Sequence, residues 1–192
     1  VRGSDWQPYV RWQARLRQGY LVSGADGLTL RVRSSDTGAW LTLKAAPAVP
    51  QDQAAGPPIQ ELPTQGFPAS GPALSRLEFE YPIPQADAEA MLALCPWQLI
   101  KTRYGLDLPG GDWVLDVFEA ENAPLVVAEV ELQRADQTVA LPPWCVRELT
   151  GRHDLSNAAL ARWPLTCWSA EQLQELLSPP DGWLRCSPES SS

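Results

Sequence analysis

Lysine is almost missing from this 192-residue chain: it occurs twice, as Lys44 and Lys101, against 23 acidic residues. Methionine and histidine occur once each, as Met91 and His153. No apolar run approaches the roughly 18 residues that a membrane helix needs. No basic stretch followed by an apolar one opens the chain as a secretory signal would. Cys95, Cys145, Cys167 and Cys186 form no C-x-x-C pair and have no partner histidines. This argues against zinc and reads as thiols in a reducing cytoplasm. A single histidine without a supporting motif leaves no Ser-His-Asp triad, so His153 reads as a loop residue. The chain opens on Val1 and first shows methionine at Met91, so a preceding segment is expected.

What is present suits one globular domain, with 44% apolar and 20% charged residues. A net charge of −8 repels nucleic-acid backbones and anionic membranes unless the basic residues are gathered in one place. They are gathered, because both lysines and most candidate arginines fall in alternating, strand-like segments. These are Leu16 to Val22, Leu28 to Arg33, Trp40 to Lys44, Arg76 to Ile83, Ile100 to Tyr104, Trp113 to Glu119 and Val126 to Leu132. Gly- and Asp-rich turns between several of them predict antiparallel hairpins. Helices are expected at Gln85 to Leu94, Asn157 to Trp163 and Ala170 to Leu177, the last capped by Ser169. Residues 45–75, rich in Pro, Ala, Gly and Gln, read as a long loop inside a domain spanning 1–165. A short helix and a frayed tail would fill 166–192.

Side chains at i and i+2 share one face of a strand. Leu28, Leu30 and Val32 therefore oppose Thr29, Arg31 and Arg33. Leu77, Phe79 and Tyr81 oppose Arg76, Glu78 and Glu80. Lys101 goes with Arg103, Glu129 with Glu131, and Lys44 with Thr42. An ordinary antiparallel sheet with one wet face produces the same alternation. Wet faces usually mix in Ser, Thr and Gln, however, whereas these positions are almost wholly Arg, Lys and Glu. Closing such a sheet with its charged face inward gives a polar tunnel, and eight strands leave room for one small ligand. Arginine forks suit phosphate oxygens, and carboxylates on adjacent strands suit Mg²⁺ or Mn²⁺. The pattern points to a metal–polyphosphate complex.

The segments Arg17-Gln18-Gly19-Tyr20-Leu21, Leu30-Arg31-Val32-Arg33, Leu41-Thr42-Leu43-Lys44, Arg76-Leu77-Glu78-Phe79-Glu80, Lys101-Thr102-Arg103-Tyr104, Leu115-Asp116-Val117-Phe118 and Ala128-Glu129-Val130-Glu131-Leu132 resemble, in this order, the triphosphate tunnel metalloenzymes (CYTH-type domains). Glu148-Leu149-Thr150 and Ser156 to Ala161 resemble that family's closing segment, so the likeness covers about residues 15 to 163. The resemblance implies a mainly β protein: a closed antiparallel eight-stranded barrel with a few peripheral helices. It implies hydrolysis of the terminal phosphate of a small triphosphate, with inorganic tripolyphosphate first and thiamine or nucleoside triphosphates as alternatives. Adenylyl cyclisation, or a non-catalytic polyphosphate-binding module, are the rival readings. Arg31, Arg33, Lys44, Arg76, Lys101 and Arg103 would bind phosphates. Glu78, Glu80, Asp116, Glu129 and Glu131 would hold Mg²⁺ or Mn²⁺. Among the catalytic candidates, Lys101 would stand close to the hydrolysed phosphate, Tyr20 at the tunnel plug, and Glu131 would ready the attacking water, although Tyr20 as a packed residue and Asp116 as an arginine partner are equal readings. No nucleic-acid or membrane partner is expected, and a homodimer is left open. The family's E-x-E-x-K strand would precede Val1, and Val114 stands where relatives often carry an acid.

Overall fold

The structure, a computed structural model, describes residues 1–24, 28–45, 77–132, 134 and 137–177. Arg76, the loop expected at 45–75 beyond its first residue, and the tail from Ser178 lie outside the described residues. Seven strands form: β1 Val10–Ser23, β2 Thr29–Ser35, β3 Gly38–Ala45, β4 Leu77–Ile83, β5 Trp97–Leu106, β6 Asp112–Phe118 and β7 Val126–Glu131. Three α-helices accompany them among the described residues: α1 Gln85–Leu94, α2 Asn157–Arg162 and α3 Ala170–Leu177. Ser169 caps α3 as expected, accepting from the Gln172 amide at 3.2 Å.

All strand neighbours are antiparallel, in the order β4-β3-β2-β1-β5-β6-β7. The expected closed barrel of eight strands is not what the described residues form. Their sheet has seven strands and is open, because β4 and β7 share no hydrogen-bond ladder and remain its two edges. Pro82 fits the edge strand β4, where a missing N–H is tolerated. Strand β1 begins at Val10, well before its alternating part, because its first half pairs with β5 out to Leu106. That extension comes from a partner strand, so no local periodicity announces it.

The two faces of the sheet differ sharply. On the outer face, α1 lays Ala88 and Leu92 over Val32 and Ala39. Further along, Trp6 and Trp144 cover Leu106, Trp113 and Leu115. On the inner face, α2 packs Leu160 and Ala161 onto Tyr20, Leu99 and Phe118, which closes one end of that face with apolar contacts. The rest of the inner face carries charge. No helix among the described residues is long and apolar enough to cross a membrane. Cys95, Cys145 and Cys167 are free thiols.

Gly19 marks where α1's end meets β1. A Cβ there would lie 2.6 Å from Cys95 Sγ and 2.9 Å from Leu92 Cδ2. Both neighbours are buried, so neither side chain can swing clear. Gly19→Ala is expected to cost about 1–3 kcal/mol through overpacking. Urea unfolding checks this, and an unchanged midpoint would mean that α1 docks loosely.

Candidate functional site: a cationic sheet face braced by carboxylates

Register places the candidate residues on one surface. Gln18 and Tyr20 of β1 stand opposite Arg33 and Arg31 of β2. Arg31 faces Thr42, and Thr29 faces Lys44, on β3. Thr42 and Lys44 in turn face Glu80 and Glu78 on β4. On the other flank Leu16 of β1 faces Lys101 of β5, Arg103 faces Asp116 of β6, and Val114 faces Glu129 of β7. Glu131 lies two residues beyond Glu129 on the same face, opposite Asp112. Five of the six expected phosphate-binding cations and all five expected acids therefore share the inner face; Arg76 is outside the described residues.

On the β2–β4 flank, Glu80 is the hub. Its carboxylate accepts from Arg31 Nη2 at 3.3 Å, Arg33 Nη2 at 3.1 Å and Thr42 Oγ1 at 2.9 Å. Thr42 is fully buried and also accepts from Arg31 Nη2 at 3.0 Å, so it locks the two strands' charges together. Lys44 Nζ donates to Glu78 at 3.0 Å. The Arg33 guanidinium lies over the Trp40 ring, 5.3 Å from its centre. Burial and the neighbouring Arg31 charge pull the Arg33 pKa below its ordinary value.

A second network runs across β5, β6 and β7. Lys101 and Asp116 are each only 1% exposed, and Lys101 Nζ lies 2.5 Å from Asp116 Oδ2. Arg103 grips the same carboxylate with Nε and Nη2, both at 2.7 Å. Its Nη2 also reaches Glu129 at 3.2 Å. Lys101 donates to Asn157 Oδ1 at 2.9 Å and sits over Phe118. Burial pulls the Lys101 pKa down to about 8, against the opposing pull of Asp116. Burial pushes Asp116 up, but the Arg103 hydrogen bonds and the Lys101 charge outweigh it and hold Asp116 below the usual carboxylate range. Burial pushes the Tyr20 hydroxyl up to about 12, opposed by Arg31. Tyr20 is thus a neutral donor at any physiological pH.

The geometry divides the acids into two kinds. Asp116 has both oxygens occupied by cations, so its visible work is to anchor Lys101 and Arg103. Glu129 and Glu131 on β7, with Glu78 and Glu80 on β4, stand at the two edges of the face. Among the described residues no three acidic, histidine or cysteine side chains converge as a ready-made metal cage. The set suits an ion held by one or two carboxylates whose other ligands are substrate oxygens and water, the habit of Mg²⁺. Two participants, Gln18 and Asn157, escaped the sequence reading, and Thr42 was placed beside Lys44 without a role. Gln18 lies on the charged face at a position where alternation could have flagged it. Asn157 gave no such signal, because its role depends on α2 folding over β5.

Fold and site together define a β-sheet protein with a cationic floor braced by carboxylates and capped at one end by a helix. No family model matches the chain. It is 32% identical over 150 residues to the inorganic triphosphatase of Acetivibrio thermocellus, covering 77% of this chain and 80% of that protein. It is 33% identical over 150 residues to the inorganic triphosphatase of Nitrosomonas europaea, covering 76% and 83%. Among solved structures it resembles the inorganic triphosphatase NE1496 with a TM-score of 0.52 at 30% identity, covering 78% of this chain and 86% of that one. The chain belongs to the inorganic triphosphatase family, as the resemblance of its segments to the triphosphate tunnel metalloenzymes implied.

Proposed function

We propose that the protein hydrolyses the terminal phosphate of inorganic tripolyphosphate with the help of Mg²⁺ or Mn²⁺, on a sheet that closes around the substrate as a tunnel. The observation that carries this reading is the gathering of Arg31, Arg33, Lys44, Lys101 and Arg103 on one face of one sheet. The relatives' shared name supports the choice of substrate. Thiamine and nucleoside triphosphates, adenylyl cyclisation and a non-catalytic binding module gain no specific support from the face.

Phosphoryl transfer requires positioning and charge neutralisation more than covalent help. Arg31, Arg33 and Lys44 would hold one end of the polyphosphate with forked hydrogen bonds. Arg103 would bind the other end. Lys101, with one N–H beyond those given to Asp116 and Asn157, would face the phosphate that leaves. Tyr20, locked as a hydroxyl, would donate a hydrogen bond near Arg31 without losing its proton. Glu131 would accept a proton from the attacking water, a role open to it because no cation among the described residues pairs with it as Lys101 and Arg103 pair with Asp116. Mg²⁺ or Mn²⁺ held by Glu129 and Glu131, or by Glu78 and Glu80, would set positive charge against the phosphate oxygens.

Release of phosphate from tripolyphosphate, thiamine triphosphate and ATP, each with Mg²⁺, Mn²⁺ or a chelator, tests the proposal on the full-length protein. Metal-dependent turnover of tripolyphosphate is expected to lead. Cyclic AMP from ATP, or tight metal-independent binding without release, would point to the cyclase or the binding module.

Glu80 gives a finer test. In the free protein its carboxylate occupies the guanidinium donors that a phosphate would use. Glu80→Gln is expected to tighten metal-free tripolyphosphate binding about fivefold, the worth of one net hydrogen bond, while slowing metal-supported turnover. Calorimetry with a chelator checks the first half, and weaker binding would show that Glu80 organises the arginines instead of competing for them.

A further inference from the structure

Three buried donors on the charged face have no acceptor among the described residues: Gln18 Nε2, Arg31 Nε and Arg33 Nε. They are close neighbours by register. Gln18 is the cross-strand partner of Arg33, and Arg31 lies two residues along β2 on the same face. Gln18 is only 1% exposed, deep between β2 and Leu99 of β5. A buried donor without a partner destabilises a fold, and native proteins rarely leave one without a reason.

The nearby acceptors are already engaged. Glu80 takes the outer nitrogens of both arginines, Glu78 takes Lys44, and Asp116 takes Lys101 and Arg103. Nothing in β1 or β2 turns a carboxylate toward the amide of Gln18. The three donors are neighbours by register, and no acceptor among the described residues meets them. Their complement is a group whose oxygens only accept, as the ionised oxygens of a phosphate do.

We propose that Gln18 is a substrate-binding residue, whose amide donates to the same phosphate group that the Nε atoms of Arg31 and Arg33 bind. This rests on the triphosphatase reading and extends it to a neutral donor in the floor of the site. Gln18 contributes direction without charge. It orients a phosphate that the arginines attract.

The test uses Gln18→Met, which keeps the volume and removes the donor, and Gln18→Glu, which replaces the donor with an acceptor. Tripolyphosphate affinity is measured by calorimetry with and without Mg²⁺, and ligand-free stability by urea unfolding. Gln18→Met is expected to bind about tenfold more weakly, as for loss of one hydrogen bond to a charged group, while the free protein is at least as stable as wild type. Gln18→Glu is expected to bind at least about a hundredfold more weakly, because it adds repulsion to the lost bond. Its carboxylate accepts from the orphaned arginine Nε atoms, so the free protein should be more stable. Both variants binding within twofold of wild type would overturn the proposal and assign the amide to structural water. A Gln18→Met protein clearly less stable than wild type would overturn it too, since the amide would then have a structural partner. Wild type that binds no tripolyphosphate sinks the triphosphatase reading itself, an outcome distinct from variants that bind unchanged.

Discussion

Asp116→Ala is expected to lower stability by about 3 kcal/mol, and at most about 5, and to abolish turnover. Breaking a buried ion pair by removing one partner costs this much because the remaining charge stays in a poor dielectric. Here one carboxylate serves two cations, Lys101 and Arg103. They respond differently to its loss. Arg103 cannot shed its proton, but it keeps Glu129 at 3.2 Å. Lys101 has no second carboxylate within bonding distance among the described residues; its other partner is the neutral Asn157. Its pKa already lies near 8 with Asp116 present, so without that anion it falls further and Lys101 is largely neutral at pH 7. Deprotonation limits the stability loss to the lower end of the range, and it also removes the charge that the leaving phosphate needs. Urea unfolding at pH 7 and at pH 9 checks the argument. The deficit relative to wild type should be smaller at pH 9, where wild-type Lys101 is also mostly neutral. A deficit below about 1 kcal/mol at pH 7 would mean that water reaches this cluster.

Much of this cluster was legible in the chain, for a reason that belongs to strands. A period of two assigns faces without knowledge of the partners, so Arg31 with Arg33, Lys101 with Arg103, and Glu129 with Glu131 could be placed together from alternation alone. Register then aligned those doublets across the sheet, as the outer apolar set of Val32, Ala39 and Leu115 required. What alternation cannot carry is the partner of each charge. Asp116 could be read as metal ligand or arginine partner, and only the 2.7 Å contacts from Arg103 show how its oxygens are used. Thr42 and Gln18 were visible as positions on the charged face but not as a bridge and an orphaned donor. Asn157 meets Lys101 across 56 residues, through a short helix whose docking depends on Leu160 and Ala161 finding Tyr20, Leu99 and Phe118. Closure of the sheet was the other inference that face assignment could not support. A polar inner face is compatible with an open sheet as well as with a barrel, and the described strands stop at two free edges.

Lys101→Met separates charge from scaffold at the same place, and its expected outcome is the reverse of that for Asp116→Ala in stability. Methionine approximates the length of the lysine stem and needs no partner, while Asp116 remains held by Arg103 through both oxygens. No buried charge is stranded, so stability should stay within about 1 kcal/mol of wild type. Turnover should fall by at least about a hundredfold, the usual loss on removing one donor aimed at developing charge. The pH dependence then identifies the group. In the folded protein Lys101 gives up its proton near pH 8, whereas an ordinary lysine holds it to 10.5. Between those values the unfolded chain binds more protons than the folded one, so this lysine makes wild-type stability rise with pH across the window. Below pH 8 both forms are charged and the full cost of burying the ammonium is present. Function runs the opposite way, because the charged form binds phosphate: kcat/KM of the free enzyme should decline above pH 8 with the loss of one proton. Lys101→Met should lose both signatures, leaving a flatter stability curve and a residual rate without that alkaline limb. If the variant keeps the wild-type limb, a different group titrates and Lys101 is not the donor at the reacting phosphate.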